Sequence, residues 1–148
     1  MSQQFNKALG KKARHRARRL ALQGLYQWNY SHNEIDELLT MLLETQRGMK
    51  LDRAYFERLT RGVVQEVDKI DKVLESFLDR RLGELNPIEL AILRIASYEM
   101  LFQVEIPYTV IINEAVELAK SFGADQGHRY VNAVLDKVSF KYRRLERC

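Results

Sequence analysis

The sequence predicts an all-helical fold, on three observations. Only two prolines (Pro87, Pro107) and seven glycines punctuate 148 residues, too few turn formers for a fold of many short strands. Apolar residues recur at intervals of three and four along most of the chain, the period of a helix with one buried face. Hydrophobic residues make up 46% and charged residues 30%, a globular balance in which no apolar run reaches the ~18 residues of a membrane span. A domain of this length buries about 68–70% of its unfolded surface, enough to fold without a metal or a disulfide. The single cysteine, Cys148, fits a reducing compartment such as the cytoplasm. The first ten residues lack the apolar stretch of a secretory leader.

A first helix is read from Ala13 to Trp28, where Ala13, Ala17, Leu20, Ala21, Gly24, Leu25 and Trp28 share one arc. On a different arc, Lys12, Arg16, Arg19, Gln23 and Tyr26 form a continuous stripe that begins in cations and ends in an aromatic ring. Ser31 and Glu34 have capping-box spacing for a second helix, carrying Ile35, Leu38, Leu39 and Leu42 up to Gly48. Asp52 caps a third, with Tyr55, Phe56, Leu59 and Val63 in register. Asp68 caps a fourth, with Ile70, Val73, Leu74, Phe77 and Leu78 apolar and Gly83 as its stop.

Asn86, Pro87 and Glu89 supply a cap, a proline at the first position and an acid in the first turn of a fifth helix. That helix runs to about Gln103 and is apolar around most of its circumference, the mark of a central buried element. Pro107 opens a sixth helix, with Ile111, Ala115, Leu118 and Phe122 on one face until Gly123 stops it. Asp125 caps a seventh, bearing Val131, Val134, Leu135, Val138 and Tyr142. The reading is thus seven helices, with residues 1–10 as a flexible basic extension, 11–142 as a single domain and 143–148 as a basic tail.

Charge is segregated. Residues 1–19 carry seven bases, and the first acid is Glu34; residues 137–148 add five bases against Glu146, while residues 20–136 hold 12 bases and 19 acids. Basic ends around an acidic middle suggest a polyanion at the ends and a basic protein against the middle; solvated tails are the plain alternative.

Catalysis or metal binding needs polar groups that converge, and the three histidines are scattered: His15 among arginines, His32 in a turn, His128 early in the last helix. The sequence contains no HExxH, CxxC, GxSxG or GxxxxGK[ST] pattern. Gly123 and Gly127 lack the lysine and hydroxyl residue of a phosphate-cradling loop, and Asp68, Asp71, Glu75 and Asp79 recur as on a solvated helix face. No catalytic residue, metal ligand or cofactor is assigned, and an enzyme is not expected.

The basic stripe carries the functional signal. Arginines neutralise phosphates and stack on bases, and an exposed tyrosine offers a stacking platform, a combination suited to single-stranded nucleic acid. Phe122, Gly123, Arg129 and Tyr130 form a second aromatic and basic cluster, where amides at the start of the last helix could receive a phosphate. The alternatives are Tyr26 folded back on Trp28 or Tyr30, and Phe122 and Tyr130 as packing residues.

The arginine-rich start followed by residues 21–28 (ALQGLYQW), then residues 89–96 (ELAILRIA), resembles the NusB family of bacterial transcription antitermination factors. Residues 107–123 (PYTVIINEAVELAKSFG) and 130–137 (YVNAVLDK) are similar to that family's C-terminal signature almost residue for residue. The similarity runs from about Arg14 to Lys137.

The resemblance implies two small helical bundles packed together and a role in binding boxA RNA of nascent transcripts, jointly with the NusE ribosomal protein. It places the chain in the RNA polymerase antitermination complex that reads through terminators in ribosomal RNA operons. Carried over by position, the RNA surface comprises Lys11, Lys12, Arg14, Arg16, Arg18, Arg19, Gln23, Tyr26, Phe122, Arg129 and Tyr130. The protein-partner surface comprises Tyr26, Glu89 and Arg94. Glu89 also has an ordinary role as a first-turn acid, and Arg94 as a salt bridge within the bundle. Residues 1–10 extend beyond the family core, and His15 interrupts the arginine run. No membrane contact is implied, and a homodimer that buries the stripe is compatible with the sequence. The competing reading is a helical protein-interaction module with only non-specific RNA affinity.

Overall fold

The computed structural model describes residues 3–31 and 34–147, with side chains from residue 10. Seven α-helices account for most of it, and no strand occurs among the described residues. They are α1 (Gln3–Ser31), α2 (Ile35–Glu44), α3 (Arg53–Gln65), α4 (Val67–Glu75), α5 (Pro87–Phe102), α6 (Tyr108–Phe122) and α7 (Gly127–Tyr142), with short 3-10 turns at Leu82–Glu84 and Arg144–Arg147. The all-helical class read from the sequence is the one observed. The chain divides into two compact units, Met1–Gly62 and Val63–Cys148.

In the first unit, α1 buries Ala17, Leu20, Ala21 and Leu25 along the predicted arc, and α2 buries Leu38, Leu39 and Leu42. Gly24 permits the close approach of the two helices, since a Cβ there would stand 3.0 Å from Leu42 Cδ1. Asp52 caps α3 as its spacing predicts: its Oδ1 accepts the Tyr55 N–H at 3.1 Å. Tyr55, Phe56 and Leu59 follow, all buried. Each such large apolar side chain contributes about 1.5–3 kcal/mol over its exposed state.

Two expectations for this unit are corrected. Ser31 does not open α2. It is the last residue of α1, and its hydroxyl donates to the Gln27 carbonyl at 2.9 Å. A serine satisfied by the carbonyl four residues back lets the helix run on instead of capping the next one, and α2 starts after Glu34 with no side-chain cap. At the other end α1 begins at Gln3, ten residues before the Ala13 from which the first helix was read.

In the second unit, α5 is the hub. Every residue from Glu89 to Met100 is buried; α4, α6 and α7 all pack on α5, and α6 packs on α7. Asn86 starts it as predicted, its Oδ1 accepting the Ile88 and Glu89 N–H groups at 2.9 and 3.3 Å. Gly123 ends α6 for lack of space: a Cβ would lie 2.7 Å from the Ala119 carbonyl oxygen.

Two caps in this unit differ from the reading. Asp68 lies inside the first turn of α4, after Glu66, where a negative charge still favours the helix's positive end. Gln126, left-handed at φ 66°, precedes α7 in place of Asp125. The helix α4 also stops at Glu75, well short of Gly83, which sits in the 3-10 turn.

Candidate nucleic-acid interface

The stripe on α1 turns outward. Lys11, Lys12, Arg19, Gln23 and Tyr26 are exposed and Arg16 is half-buried. Arg16 is held in place: its Nη1 donates to the Lys50 carbonyl at 3.1 Å. Arg16, Arg19, Leu20 and Gln23 line a groove together with Gln46 and Met49. Tyr26 meets Tyr30 edge to face with ring centroids 5.1 Å apart, one of the two contacts weighed as an alternative for it, and still remains 37% exposed.

Arg14 and Arg18 lie on another arc of the same helix. Arg18 is only 3% exposed, with its guanidinium 5.5 Å from the Tyr55 ring centroid. Arg14 stands 4.2 Å from the same ring and pairs with Asp52 at 3.7 Å. The two are four residues apart, on one face of α1, and both approach the Tyr55 ring. Arg18 is therefore corrected from a phosphate ligand to an interior residue: at 100° per residue it falls behind the face that presents Arg16 and Arg19. The sequence pattern places it among cations and does not show Tyr55 waiting for it.

In the second unit, Phe122 and Arg129 are exposed and Tyr130 is half-buried. The Tyr130 hydroxyl donates to Asp79 Oδ1 at 3.0 Å, and the Arg80 guanidinium stands 4.5 Å from its ring centroid. Arg80 Nε in turn donates to the same Asp79 oxygen at 2.8 Å. Desolvation, then the bond to Asp79, raises the Tyr130 pKa, while the bonds from Arg80 and Tyr130 lower that of Asp79. The phenol is thus a neutral donor beside an ionised acid. Asp79 and Arg80, some fifty residues away along the chain and linked to Tyr130 by no sequence pattern, fix that ring.

Glu89 and Arg94, read as partner contacts, are buried at 7% and 9% exposure. Arg94 takes the alternative role of a bridge within the bundle, donating through Nε and Nη2 to the two oxygens of Asp71, both at 2.9 Å. Asp71 is accordingly not part of a solvated acidic face. The Glu89 carboxylate accepts the Ala124 N–H at 3.4 Å and lies where a Cβ on Gly127 would overlap it. An anion of the chain itself therefore already occupies the start of α7, and the phosphate expected at that position is corrected on this ground. Among the described residues no group of three or more His, Cys, Asp or Glu is placed to hold a metal ion. Among them, too, no helix is long and apolar enough to cross a membrane.

The chain is all-helical and turns a cationic, tyrosine-ended face of α1 outward. Residues 15–140 match the model of the NusB family, and the chain belongs to that family. It is 50% identical over 134 residues to the transcription antitermination protein NusB of Nitrosococcus oceani, covering 90% of this chain and 89% of that one. The transcription antitermination protein NusB of Idiomarina loihiensis is also 50% identical, over 88% of this chain and 94% of its own. Among solved structures, T. maritima NusB superposes with a TM-score of 0.79 at 29% identity, over 87% of this chain and 92% of that one. The fold is shared as well with a structure of antitermination factors NusB and NusE in complex with dsRNA, at a TM-score of 0.81 and 24% identity over 88% of this chain and 98% of that one.

Proposed function

We propose that the protein is a transcription antitermination factor that binds boxA RNA of nascent transcripts together with the NusE ribosomal protein, so that RNA polymerase reads through terminators in ribosomal RNA operons. The observation that carries this reading is the outward face of α1, where Lys12, Arg16, Arg19 and Gln23 lead to the exposed ring of Tyr26. Cations neutralise phosphates and the ring receives a base. The names of the relatives support antitermination, and the solved assembly of NusB with NusE and dsRNA supports an RNA and NusE as the classes of partner. In this reading Lys11 reinforces the phosphate track, Arg14 stays with Tyr55 and Asp52 on the other arc, and Phe122, Arg129 and Tyr130 form a second contact set on their own unit. Glu89 and Arg94 act from inside, holding the start of α7 and the pairing of α5 with α4. The protein works as a non-enzymatic adaptor in the cytoplasm, where nascent transcripts are.

Phosphate contacts position a protein without specifying sequence, so a shared interface with a protein partner supplies part of the specificity. The test is a fluorescence-anisotropy titration of boxA-type and scrambled RNA, each with and without NusE, at two salt concentrations. Tighter boxA binding that NusE strengthens is expected. Equal, salt-sensitive binding to both RNAs with no effect of NusE would leave a helical module with non-specific RNA affinity.

A further inference from the structure

We infer that the groove between α1 and the turn at residues 45–50 is a base pocket, taking one unstacked nucleobase of the single-stranded RNA whose phosphates the α1 stripe holds. The inference rests on the RNA-binding reading above and adds Gln46 and Met49 to it.

The groove is framed, not loose. Arg16 Nη1 donates to the Lys50 carbonyl at 3.1 Å. The Asp52 N–H donates to the Ala13 carbonyl at 3.2 Å, and the Met49 N–H closes the turn on the Gln46 carbonyl at 3.0 Å. Gly48 stands at φ 79°, a conformation that costs a side-chain-bearing residue free energy, so this turn is set by its glycine.

The lining has the mixed chemistry that a base requires. Leu20 and Met49 are apolar, for a ring face; Gln23 and Gln46 bring amide acceptors and donors for a ring edge, with the Gln46 Nε2 also donating to the Thr45 hydroxyl at 3.2 Å. Met49 remains 51% exposed, and its polarisable thioether packs well against aromatic faces. Arg16 and Arg19 belong to the same lining, which places phosphate ligands beside the base position. Gln23 joins this groove to Tyr26 three residues on, so one base in the groove and one on the tyrosine follow a single strand along α1. Sequence in single-stranded RNA is read on exposed base edges, and the two glutamine amides supply that reading where arginines alone do not.

The experiment is an anisotropy titration of boxA-type RNA and of a series with one abasic nucleotide each, against the wild-type chain, Met49→Ala and Gln46→Ala, at two salt concentrations. One abasic position is expected to lower wild-type affinity about fivefold or more while changing Met49→Ala and Gln46→Ala far less, with the salt slope the same for all three chains. Circular dichroism confirms that the variants are folded, and the abasic series on the wild-type chain requires no variant. If every abasic position costs the variants as much as the wild type, no base sits in the groove and the inference is overturned. If intact boxA RNA binds the wild type no better than scrambled RNA, the RNA-reading function itself fails and the pocket falls with it.

Discussion

Tyr26 and Tyr30, one turn apart on α1, meet edge to face with centroids 5.1 Å apart and ring planes at 63°. The pair holds an aromatic surface at the end of the basic stripe, where Tyr26 keeps over a third of its area in solvent. Tyr26→Ala is expected to weaken boxA binding by about 1–3 kcal/mol, the value of one base on one ring. The salt dependence should stay unchanged, because no charge is removed. Titrations at several salt concentrations read both quantities, and an unaltered affinity would return Tyr26 to a packing role.

Arg16 and Arg18 separate the two faces of the same helix. Replacing Arg16 and Arg19 together by alanine should flatten the dependence of log affinity on log salt by about 0.7 for each phosphate that is no longer neutralised. Arg18→Ala should leave that slope alone and lower the urea midpoint, because it removes a buried guanidinium from beside Tyr55. A slope change in the Arg18 variant would contradict its interior placement.

The helices were legible because their signals are local. Asn86 and Asp52 cap the helices they precede, and the apolar arcs of α1, α5 and α7 are buried apart from their ends, where Ala13 and Trp28 are half-buried and Tyr142 is exposed. The errors fall where a residue outside the local pattern decides. Ser31 and Asp125 look like caps from their spacing alone, yet the Gln27 carbonyl takes the first and a left-handed Gln126 replaces the second. The candidate site shows the same division. Lys12, Arg19, Gln23 and Tyr26 lie on the face that helical spacing gives them. Arg18, Glu89 and Arg94 do not, since Tyr55, Gly127 and Asp71 are far from them in sequence and near them in space. The groove residues Gln46 and Met49 fall where the reading carried the second helix on to Gly48, beyond its observed end at Glu44, so nothing in their spacing marked a groove.

Arg143, which begins the segment read as a basic tail, is buried. Its guanidinium donates to four carbonyls at and beyond the end of α5: Glu99 at 3.2 Å, Met100 at 2.9 Å, Gln103 at 2.9 Å and Ile106 at 2.8 Å. A cation at a helix C-terminus answers the partial negative charge of the last carbonyls. Arg143→Met keeps most of the side-chain volume but strips the donors, and should cost about 3 kcal/mol or more in unfolding free energy. Urea denaturation checks this, with boxA affinity at saturating folded protein expected to stay near wild type.

Glu146 completes that cap and makes it pH-dependent. Its Oε2 accepts from Arg143 Nη1 at 2.5 Å and its Oε1 accepts the Tyr108 N–H at 3.0 Å, at the first residue of α6. The Arg143 bond first, then the Tyr108 amide, holds its carboxyl below the ordinary 4.5. A carboxylate with a depressed folded pKa binds fewer protons folded than unfolded, so its contribution is complete above the unfolded value and is lost as pH falls through the folded one. Glu146→Gln should therefore be less stable than wild type at pH 7, by about 1 kcal/mol or less because the pair is partly open to solvent. The gap should close as pH falls below 4.5. Thermal unfolding of both chains from about pH 7 to about pH 3 spans that window. A gap that persists at the acid end would mean that the glutamate acts through its shape and not through its charge.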